Sequence, residues 1–320
     1  MRIPFITPPS SSSSSPSSSS NTKTLYRRKG GGGKGGGKGG GGGSSGGGSS
    51  GGASSGVGSR GSSVSVPGRT AGQSSSATAY GSGGGRSTVI PAGQPFAGRA
   101  VGGGNRDQVY GSQTYGSGYP GVASRGVGGL GFPFVFWPVI WGGGLGYGGA
   151  YLYDHEYGDS NNPDRPGGSM VSAVFTSPTS NSTFHVLSDN STVTSLIGSI
   201  TGNCTLGPNS ANTNTTPVVY NSNSTDTSQP RPEQVVQYFR GSSVALTLDG
   251  YNDTSALSEN QTAPDVPIPS WVDATTLDCL NQTIGQAVPL IDSVLPRGVP
   301  AIGSIALLWV VMAYTLGLGV

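Results

Sequence analysis

Histidine and cysteine are nearly missing from this chain: 320 residues contain two of each. That scarcity removes whole classes of chemistry. There is no H-E-x-x-H pair and no C-x-x-C spacing, so zinc-protease, zinc-ribbon and thioredoxin-type readings have no residues to rest on. His155 lies in DHEYGD beside Asp154, Glu156 and Asp159, but the sequence offers no second cluster to complete a metal shell. His185 sits inside an apolar strand pattern, and no Ser or Cys nucleophile with a third orienting group can be named for it. No catalytic residue, cofactor site or metal site emerges, and the expectation is a protein that is not an enzyme.

Acidic side chains are almost absent from residues 1–126, where Asp107 stands alone against 13 Lys or Arg. The other 194 residues reverse the balance, with 4 Arg and 14 acids. Large apolar residues are scarce in the same N-terminal stretch, which is dominated by a Ser run at 10–20 and a Lys/Gly block at 29–43. Ordering a residue costs about 1–2 kcal/mol, and little burial is on offer to offset it. Residues 1–126 therefore read as a disordered, basic, Gly/Ser-rich region, and the tyrosines Tyr80, Tyr110, Tyr115 and Tyr119 as aromatics carried on a spacer. Gly126, Gly128 and Gly131 spell G-x-G-x-x-G, but no strand precedes them. The Lys/Gly block lacks the Ser or Thr that follows the lysine of a P-loop.

Two long stretches contain no charge. Residues 127–153 include GLGFPFVFWPVIWGGGLGYGGAYLY, long enough for the ~20 residues of a membrane helix. Arg125 precedes the run, and Asp154, Glu156, Asp159 and Asp164 follow in an acidic linker at 154–168, the bias of a segment whose N-terminal side is cytosolic. Pro133, Pro138 and the glycines leave a second reading open, an aromatic segment packed against a domain. Residues 299–320, VPAIGSIALLWVVMAYTLGLGV, form a hydrophobic C-terminal helix or anchor with no basic residue after it. That pattern fits a GPI-attachment signal, with Gly285 and Ser293 as attachment candidates, or an uncleaved helix. Residues 1–9 lack the apolar core of a signal peptide, so the internal run would serve as signal anchor or the start is not the native one.

Residues 169–290 have the composition of a small α+β domain. Strands are expected at 171–176, at 184–187 and around Val244, Leu246 and Leu248, while 235–239 is ambiguous. Val193, Leu196, Ile197 and Ile200 predict one helix, starting behind Ser191 and Thr192; Leu277, Leu280, Ile284 and Ala287 predict another, capped by Ser270 or Asp273. The only two cysteines, Cys204 and Cys279, lie in this stretch and form the one intramolecular disulfide available, worth about 4 kcal/mol for a loop of this length. Eight N-glycosylation acceptors fall here: Asn181, Asn190, Asn203, Asn214, Asn223, Asn252, Asn260 and Asn281. With 11 Asn and 36 Ser or Thr in 122 residues, chance predicts roughly 3. The four Asn before residue 169 form none, so the excess points to a segment that faces the secretory lumen.

The succession YGSGYPG, RGVGGLGFPFVFWP, GGAYLYDHEYGD, VALTLDGYND and LDCLNQTIGQAVPLID before a hydrophobic end resembles uncharacterised fungal, basidiomycete-like, Gly/Ser-rich membrane or GPI-anchored glycoproteins. The resemblance covers about 80–320 and implies no activity. It implies a cell-surface location in the secretory pathway, a membrane as partner and contact with cell-wall polysaccharide or other surface proteins. Family members begin with a signal peptide before the Gly-rich block, and this chain departs from them there. The alternative is a nucleic-acid-binding or condensate-forming protein with a tail anchor, whose basic N-terminal half would displace counterions from phosphates.

Overall fold

The computed structural model describes residues 63–66, 76–122, 125–142, 152, 155–260 and 262–293. The Ser and Lys/Gly blocks and the C-terminal apolar stretch, 299–320, lie outside them. Among the described residues no helix is long and apolar enough to cross a membrane.

A five-stranded antiparallel sheet forms the centre. β5 (Met170–Thr176) and β6 (Thr183–Asp189) make a hairpin in which Met170 faces Asp189 and Thr176 faces Thr183. α1 (Asn190–Asn203) leaves directly from β6. β7 (Val218–Val219) then pairs with β5 at one edge. β8 (Val235–Phe239), the ambiguous stretch, is the other edge, and β9 (Val244–Leu248) returns between β8 and β6. The expected strands are thus present, the β5 and β6 limits slightly extended. α2 (Ala274–Ala287) closes the α+β domain.

Alternation along the strands sorts side chains to two faces. Val171, Ala173 and Phe175 of β5, Phe184 and Val186 of β6, and Val244, Leu246 and Leu248 of β9 pack with Val193, Leu196, Ile197 and Ile200 of α1 and Leu280, Ile284 and Ala287 of α2. On the opposite face Met170, Leu187, Tyr238 and Ala245 meet Phe132, Val135, Trp137, Val139, Ile140 and Trp141. The aromatic run is therefore a third layer laid over the sheet. This corrects the membrane-span reading for 132–141: the segment has no helical structure and is buried against its own domain. Two charges of its flank are held in ion pairs, while Asp159 and Asp164 are exposed. Arg125 is buried and paired with Asp265, while Glu156 pairs with Arg99.

A second correction concerns residues 63–126. Where described, they are ordered parts of this domain rather than a disordered tail. β1 (Ser63–Ser65) pairs with β2 (Ser76–Thr78), and β3 (Thr88–Val89) pairs with β4 (Ala100–Val101). Short elements suffice because polar anchors replace a continuous core. Arg106 donates to the Gly285 and Val288 carbonyls at 3.1 and 2.8 Å, satisfying orphan groups at the C-terminus of α2 where a cation also suits the dipole. The tyrosines taken for spacer decoration pack inward in two cases. Tyr115 donates to the Val139 carbonyl at 2.8 Å, and Tyr119 is buried.

The β8–β9 connection is the tightest point of the fold. Arg240, Gly241 and Ser242 have φ of 50°, 56° and 55°, left-handed values that cost a non-glycine residue roughly 1–2 kcal/mol each. Side-chain bonds hold them. Ser242 Oγ accepts from the Gly116 amide at 2.9 Å, and Arg240 Nε donates to Ser243 Oγ at 2.8 Å.

Both helices start on an aspartate. Asp189 accepts from the Thr192 amide at 2.9 Å, which sets the start of α1 two residues earlier than the Ser191/Thr192 boundary suggests. Asp273, one of the two caps expected for α2, accepts from the Thr275 and Thr276 amides and from the hydroxyls of Ser177, Thr276 and Thr179. The hydroxyl donations from Ser177 and then Thr276 hold its carboxyl well below the ordinary carboxylate range. A depressed folded-state pKa stabilises the fold above the unfolded carboxyl value of about 4, and that contribution is lost as pH falls below it. Asp273→Ala is expected to lose about 2 kcal/mol at neutral pH in chemical denaturation. Its stability should then fall less steeply than that of the parent as pH drops below about 4.

Candidate functional site

The disulfide joins the two helices. Cys204 is the residue after α1 and Cys279 lies in the second turn of α2, with Cα atoms 5.8 Å apart. No other cysteine exists to compete. The Asn203 carbonyl lies 3.6 Å from Cys279 Sγ, and Thr283 Oγ1 lies 3.5 Å from Cys204 Sγ. Covalent linkage and packing thus fix the same helix pair.

Around this core seven of the eight sequon asparagines lie in loops or at helix ends. Every one has threonine at the third sequon position. Asn181 sits in the β5–β6 hairpin, Asn190 and Asn203 begin and end α1, and Asn214, Asn223, Asn252 and Asn260 lie in connections. All seven are exposed. Asn281 differs: it is on α2, half-buried, with Oδ1 buried and without a hydrogen-bond partner among the described residues. Hydroxyls and amides of the sequons also make local bonds. Asn260 Oδ1 accepts from Thr262 Oγ1 at 2.9 Å, and Asn203 Nδ2 donates to the Ser199 carbonyl at 2.7 Å and to Tyr80 Oη at 3.2 Å.

The two attachment candidates part company in the structure. Gly285 is buried inside α2 beneath the Tyr110 ring, where an added Cβ would come within 2.1 Å of Tyr110 Cζ. Chain beyond it is part of the core: Ala287, Val288 and Leu290 are buried, and the Pro289 carbonyl accepts from Arg240 at 3.0 Å. A cut after Gly285 would remove all of these, which corrects that assignment. Ser293 lies exposed at the end of the last described stretch, past the core.

His185 is buried on the interior strand β6, with Nε2 3.0 Å from Asp249 Oδ1. Among the described residues no three His, Cys, Asp or Glu side chains are placed to hold a metal. A cleft of about 360 Å³ opens along the glycines 102–104, with Tyr119, Leu130, Phe132 and Gln108 in its wall and, among the described residues, no charged side chain lining it. Such a lining suits an uncharged ligand, and burial holds the Tyr119 hydroxyl in its wall well above the ordinary tyrosine range.

The feature that sequence reasoning missed is a buried ion pair. Arg240, fully buried, donates from Nη2 to Asp189 Oδ2 at 2.7 Å and from Nη1 to the Pro289 carbonyl, and its guanidinium lies 3.4 Å from the centre of the Phe136 ring. Burial pulls its pKa down to about 10, against the pull of Asp189, so it stays charged at neutral pH. The pair joins the β8–β9 turn, the start of α1, the end of α2 and the aromatic layer. Only the capping aspartate left a trace in the sequence, as Asp189 three residues before Thr192.

No protein-family model, no curated protein and no solved structure matches this chain.

Proposed function

We propose that this chain is a non-enzymatic cell-surface glycoprotein of the secretory pathway, whose disulfide-bonded domain faces outward in a structural, adhesive or recognition role. The observation that carries the reading is the coincidence of eight N-x-T sequons with the one domain that holds a disulfide, seven of their asparagines being exposed. Glycans are soluble and bulky, so exposed acceptors on a rigid scaffold are what a luminal domain requires. The pairing of Cys204 with Cys279 supports the same compartment, because such bonds persist where the environment is oxidising. Ser293 is the attachment point compatible with the core if residues 299–320 act as a GPI signal, and the membrane is then a partner through the lipid alone. Cell-wall polysaccharide and neighbouring surface proteins are the partners such a location offers.

Expression of the full chain in a fungal host, with an epitope inserted after Thr227 in an exposed loop, tests the reading. A downward shift in gel mobility on enzymatic removal of N-glycans is the expected result. An unchanged mobility would place the acceptors away from the lumen and overturn the proposal in favour of the nucleic-acid alternative.

A further inference from the structure

Asn203 and Asn281 are the two acceptors that flank the disulfide, and the structure treats them differently. Asn203 directly precedes Cys204, is exposed, and gives its two Nδ2 protons to Ser199 and Tyr80. A sugar on Nδ2 leaves one proton for one of those bonds, so the fold accommodates it. Asn281 lies two residues after Cys279 on a helix that the disulfide clamps to α1. Its Oδ1 is buried, and the hydroxyl of its sequon threonine, Thr283, is turned against Cys204 Sγ at 3.5 Å. Hydroxyl burial alone does not set this site apart, since Thr192 of the Asn190 sequon is equally enclosed. What sets it apart is the half-buried asparagine together with the adjacent disulfide.

We propose that closure of the Cys204–Cys279 disulfide excludes Asn281 from N-glycosylation, leaving it bare while Asn203 and the other exposed acceptors are modified. The inference rests on the luminal reading given above. Glycan transfer joins Asn Nδ2 to C1 of a sugar carried on a lipid diphosphate; the C1–oxygen bond breaks, the lipid diphosphate leaves with its electron pair, and the amide loses one proton. Disulfide closure passes two electrons and two protons from the cysteine thiols to a luminal protein disulfide. The order of the chain decides the contest. When Asn203 becomes available Cys204 has no partner, because Cys279 is 75 residues behind it. By the time Asn281 follows, Cys279 is already present and Cys204 is waiting. Closure then draws the segment into α2 and buries Thr283, removing the extended backbone and free hydroxyl that transfer needs.

Site-by-site glycan occupancy, read by peptide mass spectrometry on full chain recovered from total cell membranes, tests this. In the parent, Asn281 should be mostly unmodified and Asn190 and Asn203 modified. In Cys204→Ser/Cys279→Ser, occupancy at Asn281 should rise to the level of Asn190. Because transfer acts on the emerging chain, the reading does not depend on that variant folding. As a second measurement, Thr283→Ala should leave gel mobility unchanged in the parent and remove one glycan's worth of shift in the double-serine background. Asn281 as fully occupied as Asn190 in the parent, or bare in both backgrounds, would overturn the proposal. Absence of glycan at all eight sites would overturn it together with the glycoprotein reading, and so marks that failure apart.

Discussion

Replacing Asp189 with alanine is expected to lower unfolding stability by about 5 kcal/mol, the upper end of what breaking a buried ion pair costs. Its carboxylate receives the Thr192 amide, the Thr192 and Ser188 hydroxyls and the Arg240 guanidinium, at 2.7–3.2 Å. Removing it uncaps α1 and leaves a fully buried cation with no counterion. The β8–β9 turn then loses part of what offsets its left-handed backbone. Arg240→Leu alone should cost less, since its removal leaves a carboxylate that still holds three hydroxyl and amide donors. Chemical denaturation of the two single variants and the double variant forms the check. The double variant should be clearly more stable than the sum of the single losses implies, and strict additivity would show that the pair does not couple the elements it touches.

Trp141→Ala should have a comparable effect, about 5 kcal/mol, combining the loss of a large core aromatic with the loss of its hydrogen bond to the sheet. Trp141 is 1% exposed, its Nε1 donates to Tyr238 Oη at 3.0 Å and its ring stands edge-on to Tyr220. Tyr238 belongs to the sheet, so the substitution acts directly between the aromatic layer and β8. Protease resistance and the denaturation midpoint of the domain provide the measurement. A Trp141→Ala protein as stable as the parent would mean that 132–141 is not core, and would reopen a membrane role for the run.

Much of the α+β core was legible because it follows local rules. Period-2 alternation in 170–176 and 244–248 and the i, i+3, i+4, i+7 spacing in both helices reflect burial of one face, which each element imposes on its own residues. Asp273 was legible as a cap because the carboxylate needs only the next few amides. The aromatic run was ambiguous for a physical reason. Lipid and a protein interior both reward apolar surface, and composition does not say which one will cover it. Pro133, Pro138 and the flanking glycines were the clue, since they weaken a helix yet suit an irregular layer. Residues 76–122 misled more severely, because Gly- and Ser-rich chain has little side-chain surface to bury. Arg106 and Tyr115 order it through hydrogen bonds to carbonyls 179 and 24 residues away.

By itself, the sequence determined three of the five central strands, both α-helices, the single disulfide that two cysteines allow and the positions of eight sequons. These are properties of spacing and of residue type. The tertiary structure alone decided that the aromatic run covers the sheet, that Arg240 and Asp189 meet across 51 residues, that Gly285 is interior and that Thr283, of the Asn281 sequon, lies against the disulfide. Each of these depends on groups far apart in the chain competing for the same buried space, and no local pattern records the outcome of that competition.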